Sequence, residues 1–311
     1  MRKEFMFVSW ATGLSGEVVD QVFFYILAIT VFLLGLITFL MVYFVIRYQK
    51  KRNPKPSEIH ENIWLEIIWT VVPTLLVLTM FYYGMTGFNF LKKAPADALK
   101  IKVIARQWSW LFEYENGMKS TELKVPVGKP IKLSLTSQDV IHGFYTPAFR
   151  IKQDVVPGMT NTLWFQPTAE GTFDVFCTQY CGLQHATMVT KIKVLPAEAF
   201  NQWYQKGKEE IKATKGKPHG PQLYQEKGCV ACHSIDGTPR VGPTLKGLFG
   251  KNVTVMADGK ERSITADEAY LRKSILEPNA DVVKGFPPIM PSEKMTDDEI
   301  HELIQYIKEL K

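Results

Sequence analysis

The chain has 311 residues, enough for two or three domains, a hydrophobic share of 46% and a formal charge of +6. The positive surplus is no nucleic-acid footprint: five basic residues (Arg47, Lys50, Lys51, Arg52, Lys55) crowd into one short stretch, and from Gly220 onward 14 Asp and Glu face 12 Lys and Arg. The four Cys fall as two pairs, Cys177/Cys181 and Cys229/Cys232, with none left over for a separate structural bridge.

Met1 to Asp20 is short and mixed, without the small-residue cleavage site that follows the apolar core of a removed signal peptide. Residues 22–46 carry no charge. As a helix they extend about 37 Å at 1.5 Å per residue, enough to cross a bilayer core with some tilt. A second uncharged run covers residues 67–90, and the spacing predicts a second span over 63–90. Trp64, Trp69, Tyr82 and Tyr83 suit the two interfaces. The basic stretch between the spans stays in the cytoplasm by the positive-inside rule, which puts everything after residue 90 on the other side. Glu66 is the one carboxylate of the second span, either a helix-start acid favoured by the dipole or a functional group.

From Leu99 to Leu195 the period changes to two. Ile101/Val103, Ile131/Leu133/Leu135, Phe173/Val175 and Ile192/Val194 alternate with polar residues, and Gly and Pro punctuate the runs. An all-β sandwich or barrel of Greek-key kind follows. Within it, residues 177–188 offer Cys177, Cys181, His185 and Met188, and His142 supplies a second imidazole. Two Cys four apart could form a disulfide in an oxidising compartment. With His and Met at fixed offsets they form a soft donor set suited to copper electron transfer, and two thiolates allow two bridged ions. The aromatic run Arg106–Tyr114 reads first as core packing with one exposed face.

Ala197 to Ile211 has helical composition, and Lys212 to Pro221 is a Lys-, Gly- and Pro-rich hinge. Cys229-Val230-Ala231-Cys232-His233 is the attachment signature of a c-type haem, with His233 set to bind the iron. The second axial ligand should be a Met. Of Met256, Met290 and Met295, Met290 stands in the rigid Gly285-Phe286-Pro287-Pro288 to Pro291 loop and is favoured. Residues 296–310 form an amphipathic last helix with Ile300, Leu303, Ile304 and Ile307 on one face.

On these motifs the chain resembles subunit II of the haem–copper cytochrome c oxidases, in the caa form with a fused cytochrome c. The resemblance implies a multidomain chain: residues 1–95 with a two-helix transmembrane hairpin (about 20–46 and 63–90), an all-β cupredoxin domain over 96–196, a linker over 197–220 and an all-α class I cytochrome c domain over 221–311. It implies that Cys177 and Cys181 bridge a binuclear copper (CuA), that His142 and His185 each take one copper, that Met188 is a weak ligand, and that the Gln179 carbonyl completes the set. The family usually has Glu at position 179, whose carboxylate also helps bind magnesium; a neutral amide is the poorer ligand. The resemblance further makes Trp108 the point where electrons enter, Glu66 the mouth of a proton channel, and the Pro243 carbonyl the partner of the His233 ring. Covalent haem c hangs on Cys229 and Cys232, with His233 and Met290 axial.

The function implied is electron input to a respiratory oxidase: from external cytochrome c through haem c and CuA to the oxygen-reducing centre of subunit I, coupled to proton translocation. The expected partners are subunit I, subunit III, the donor cytochrome and the lipid bilayer of a bacterial-type inner membrane, with no nucleic acid. The alternatives are the same subunit in a nitric oxide reductase, or a free-standing membrane electron carrier. Because a short tether gives effective concentrations of order millimolar, transfer from haem to copper need not depend on charge complementarity.

Overall fold

The structure, a computed structural model, describes residues 12–55, 61–213, 219–238 and 240–311. Residues 1–11, the end of the basic stretch with Pro56 and His60, and hinge residues 214–218 lie outside the described residues. Two long apolar helices come first, α1 (Leu14–Arg47) and α2 (Ile63–Lys92). Asn62 caps α2 by accepting from the amides of Trp64 and Leu65, and Pro73 lies inside one continuous helix. The two helices touch along one side, where Tyr25 and Thr79 hydroxyls are 2.7 Å apart. Their other faces are apolar and exposed, as lipid requires.

Helix α1 begins earlier than the uncharged run because its first turns are held by protein. Ser15 and Asp20 are buried; Ser15 Oγ donates to the Phe149 carbonyl, and Asp20 accepts from Arg150 Nε at 3.0 Å. At the end of α2 the indole N–H of Trp164 reaches the Phe90 carbonyl. Both helices are therefore joined to the following domain at the same end.

That domain is a sandwich of ten strands: β1 (Leu99–Arg106), β2 (Ser109–Tyr114), β3 (Lys119–Ser120), β4 (Leu123–Pro126), β5 (Ile131–Ser137), β6 (His142–Thr146), β7 (Ile151–Val155), β8 (Asn161–Phe165), β9 (Gly171–Cys177) and β10 (Val189–Leu195). One sheet has the order β3-β2-β1-β5-β8 and the other β4-β10-β9-β6-β7, with β1/β5 and β4/β10 parallel. The alternation in β5 is complete, every second residue buried, which fixes its register. Phe112, Phe144, Phe149 and Phe165 fill the space between the sheets.

Helix α3 (Ala197–Ala213), expected as a connector, lies on this sandwich. Phe200 enters its core and Trp203 stacks edge-on against Tyr114 at 5.2 Å. Past the hinge come α4 (Gly220–Glu226), α5 (Cys229–Cys232), β11 (Asn252–Ala257), β12 (Lys260–Thr265), α6 (Glu268–Leu276), β13 (Val282–Val283) and α7 (Asp297–Glu309). Helices α4, α6 and α7 meet around Leu223, Leu271 and the expected face Ile300, Leu303, Ile304 and Ile307. A Thr296–Glu299 capping box starts α7. The domain is helical but not purely so: β12-β11-β13 form a small antiparallel sheet. Its signal was a short alternation around Val253 and Val255 and an Asp258-Gly259 turn, both between the helices α5 and α6.

Among the described residues, two ion pairs cross from the sandwich to the cytochrome-like domain, Arg106–Glu293 at 3.4 Å and Lys119–Glu226 at 2.9 Å. These contacts add charge matching to the proximity that the tether supplies. Phe112→Ala should destabilise the sandwich by about 3–5 kcal/mol, read as a lower midpoint in denaturant unfolding with an unchanged slope.

Candidate metal centres

Strand β6 opens with His142 and strand β9 closes with Cys177. Because Phe144 lies opposite Cys177 in the ladder, both donors stand at the same end of the sheet. The loop to β10 then returns Cys181, His185 and Met188 to them. His142 Nδ1 is 3.8 Å from Cys177 Sγ, Cys177 Sγ is 3.8 Å from Cys181 Sγ, and Cys181 Sγ is 3.5 Å from His185 Nδ1 and 3.8 Å from Met188 Sδ. The Gln179 carbonyl oxygen is 3.3 Å from Cys177 Sγ. The thiols are free, and their separation is far beyond the roughly 2.05 Å of a disulfide. His142, Cys177, Cys181 and Met188 are buried; His185, on a one-turn helix, is half-buried.

Burial raises the proton affinity of the Cys177 thiol, but hydrogen bonds from His142 and the Gly143 backbone outweigh it and bring it below its ordinary range. Burial and the neighbouring Cys177 charge push the Cys181 thiol up. Two thiolates this close in a dry pocket repel one another unless cations sit between them. The set of two thiols, two imidazoles, a thioether and a carbonyl fits a thiolate-bridged copper pair.

The surroundings hold the donors in place. His142 Nε2 lies 2.8 Å from Asp139 Oδ1, so Nδ1 is the nitrogen left facing the thiols. Burial works against a charged ring, yet Asp139 raises the proton affinity of His142 overall. Asp139 also accepts from the Gln107 amide at 2.7 Å. Gln107 Nε2 and Trp108 Nε1 both donate to the Cys181 carbonyl, at 2.7 and 3.2 Å, and Trp110 Nε1 donates to the Met188 carbonyl. Trp108 thus rests on the loop itself. Sequence reasoning missed Asp139, Gln107 and Trp110; only Asp139, three residues before His142, left a local signal. The Gln179 side chain donates to Asp154 Oδ1 at 3.1 Å.

The second centre is built on α5, whose single turn sets Cys229 and Cys232 on one side. His233 follows, its Nδ1 2.7 Å from the Pro243 carbonyl, which leaves Nε2 as the free lone pair. Burial keeps this ring neutral, lowering its proton affinity more than the Pro243 contact raises it. Gly242 is required here: a Cβ would lie 2.8 Å from the His233 ring. A mostly apolar cavity is lined by Cys229, Cys232, His233, Leu271 and Met290 among others. Met290 therefore shares it with the imidazole. Met295 packs against the helical core, and Met256 sits in β11 opposite Glu261 and Val282. The apolar lining, two thiols for attachment, and an imidazole and a thioether in one cavity suit a covalently tethered macrocycle, which Cys229, Cys232, His233 and Met290 would hold.

Glu66 is half-buried in the first turn of α2, at the end remote from both centres.

Three family models match: "Cytochrome C oxidase subunit II, transmembrane domain" over residues 4–86, "Cytochrome C oxidase subunit II, periplasmic domain" over 118–195 and "Cytochrome c" over 218–311. The cytochrome c oxidase subunit 2 of Alkalihalophilus pseudofirmus is 31% identical over 301 residues, covering 92% of this chain and 86% of its own. That of Cereibacter sphaeroides is 30% identical over 223 residues, covering 59% and 72%. A crystal structure of the periplasmic domain of subunit II from Bradyrhizobium japonicum is 33% identical, covers 38% of this chain and 99% of its own, and has a TM-score of 0.36.

Asp139→Asn should weaken copper binding by about 10–100-fold if the ring it orients serves as a ligand. Competition titration of the reduced protein against a copper chelator measures this.

Proposed function

Because the chain belongs to the cytochrome c oxidase subunit II family, in the form with a fused cytochrome c, we propose a residue-by-residue assignment of how it feeds electrons into that oxidase. The protein is the electron-input subunit of an oxidoreductase whose oxygen-reducing centre lies in a partner subunit. It spans the membrane twice, with the copper and cytochrome domains outside the cytoplasm. Haem c and CuA, when bound, supply reversible one-electron storage.

Cys177 and Cys181 bridge the two coppers; His142 and His185 bind one each; Met188 and the Gln179 carbonyl complete the shell. The observation that carries this reading is the convergence of six donors from two strands and one loop, with sulfur–sulfur and sulfur–nitrogen distances of 3.5–3.8 Å. Cys229 and Cys232 hold haem c, His233 and Met290 are its axial ligands, and Pro243 orients the His233 ring. Trp108, hydrogen-bonded to the carbonyl of Cys181, is where electrons enter the copper site. Glu66, at the cytoplasmic end of α2, serves proton uptake. Subunit I is the receiving partner, and subunit III a further one. The domain division 1–95, 96–196, 197–220 and 221–311 is supported by the change from helices to sandwich at Leu99 and by the start of α4 at Gly220.

The relatives named as cytochrome c oxidase subunits favour dioxygen over nitric oxide as final acceptor. The purified chain should bind two coppers and give a mixed-valence seven-line electron paramagnetic resonance pattern that Cys181→Ser abolishes. A four-line, one-copper spectrum from the parent chain would overturn the binuclear assignment. Met290→Ala should keep the haem attached while removing its thioether charge-transfer band; if Met295→Ala does so instead, the axial assignment moves.

A further inference from the structure

Where the two soluble domains meet, the Arg106 side chain of one domain reaches two separate segments of the other. Arg106 is the last residue of β1, two positions before Trp108. It is 7% exposed, belongs to the copper domain, and points into the cytochrome domain. Its Nη1 donates to Glu293, three residues beyond Met290. A Cβ built on Gly228 would lie 2.8 Å from its Nε, so the backbone immediately before Cys229 rests on the guanidinium. The positive φ of 75° at Gly228 brings that backbone in close. Arg106 Nε itself has no hydrogen-bond partner among the described residues. One cation thus registers the segments bearing Met290 and Cys229 against the turn bearing Gln107 and Trp108.

The remaining contacts are of two kinds. Lys119–Glu226, at 2.9 Å with Glu226 buried, is a second ion pair from β3 to α4. Cys232 and Ile289 pack partly against the core of the copper domain. Between them is a cleft bounded by Trp108 and Trp110 on one side and by Val230, Ala231 and Val241 on the other. Apolar packing is non-directional, whereas an ion pair forms only when its two partners face one another, so the charges are the part of this interface that sets direction. A buried guanidinium without a counter-charge is strongly disfavoured, which ties the buried state of Arg106 to the presence of Glu293.

We propose that Arg106 is the positioning residue for internal electron transfer: with Glu293, and with Lys119–Glu226 as second point, it latches the haem domain in one orientation over Trp108. The inference rests on the functional reading above. The tether supplies proximity; the latch supplies orientation, and tunnelling rates fall steeply when the gap between donor and acceptor edges widens. Salt loosens the latch because Glu293 and Lys119 are partly exposed.

The test uses the full chain in its purified complex, with two readouts. Hydrogen exchange of residues 106–110 and 226–233 reports docking directly, and rapid-mixing absorbance follows copper reduction after haem c reduction. Glu293→Gln and Lys119→Gln, both at partly exposed side chains, should each speed exchange in both segments and slow the transfer roughly tenfold, with copper and haem spectra unchanged. High salt should do the same to the parent and little to the double variant. Arg106→Glu combined with Glu293→Arg should restore protection and rate relative to either alone. Parent-like exchange and parent-like rates in Glu293→Gln and Lys119→Gln would overturn the proposal. Exchange needs no copper, so a parent lacking the two-copper spectrum refutes the functional reading while the docking comparison is still decided.

Discussion

Two sulfur atoms 3.8 Å apart in a buried pocket are the constraint on which the copper domain depends. The two thiols cannot both become thiolates at low dielectric without positive charge between them. Everything nearby serves that condition. The β6/β9 register delivers His142 to Cys177, Asp139 turns the His142 ring, and the Gln107–Trp108 turn clamps the carbonyl of Cys181. A rigid shell of this sort is prepaid in the fold, so little has to rearrange when the charge of the centre changes by one.

Much of this was legible in the sequence because it is local. The thiols, the imidazole and the thioether of the copper loop fall within twelve positions, and the haem motif within five. Uncharged runs of helical length and two-residue alternation announced the membrane hairpin and the sandwich. What was not legible depends on long-range register. Gln107 and Cys181 are neighbours only because the β1–β2 turn and the β9–β10 loop share one end of the sandwich, and no local pattern encodes that. The burial of Phe200 and the stacking of Trp203 on Tyr114 were hidden for the same reason: an amphipathic helix reveals that it has an apolar face, not what the face meets. The small sheet of the cytochrome domain escaped because its alternation is only a few residues long.

The two centres illustrate opposite uses of histidine. Asp139 beside His142 favours charge on the ring and makes it a better donor toward a metal. His233 is buried against a neutral carbonyl, which fixes its tautomer without giving it a negative neighbour. The first environment suits a centre that needs electron density from its ligands. The second would leave the character of a bound iron to its other ligand and to the apolar cavity. The domains that carry them share an interface of ion pairs, in keeping with a contact that must be specific without being permanent.

The close approach of Gly242 to the His233 ring has a consequence for inheritance. Every single-nucleotide change of a glycine codon that alters the residue yields one with a Cβ, and here a Cβ would lie 2.8 Å from the imidazole. The position therefore has no neutral single-step neighbour in the genetic code. A side chain there has to displace the His233 ring or the Cys232 carbonyl, so divergence at this point is tied to a shift of the Cys229–His233 segment itself.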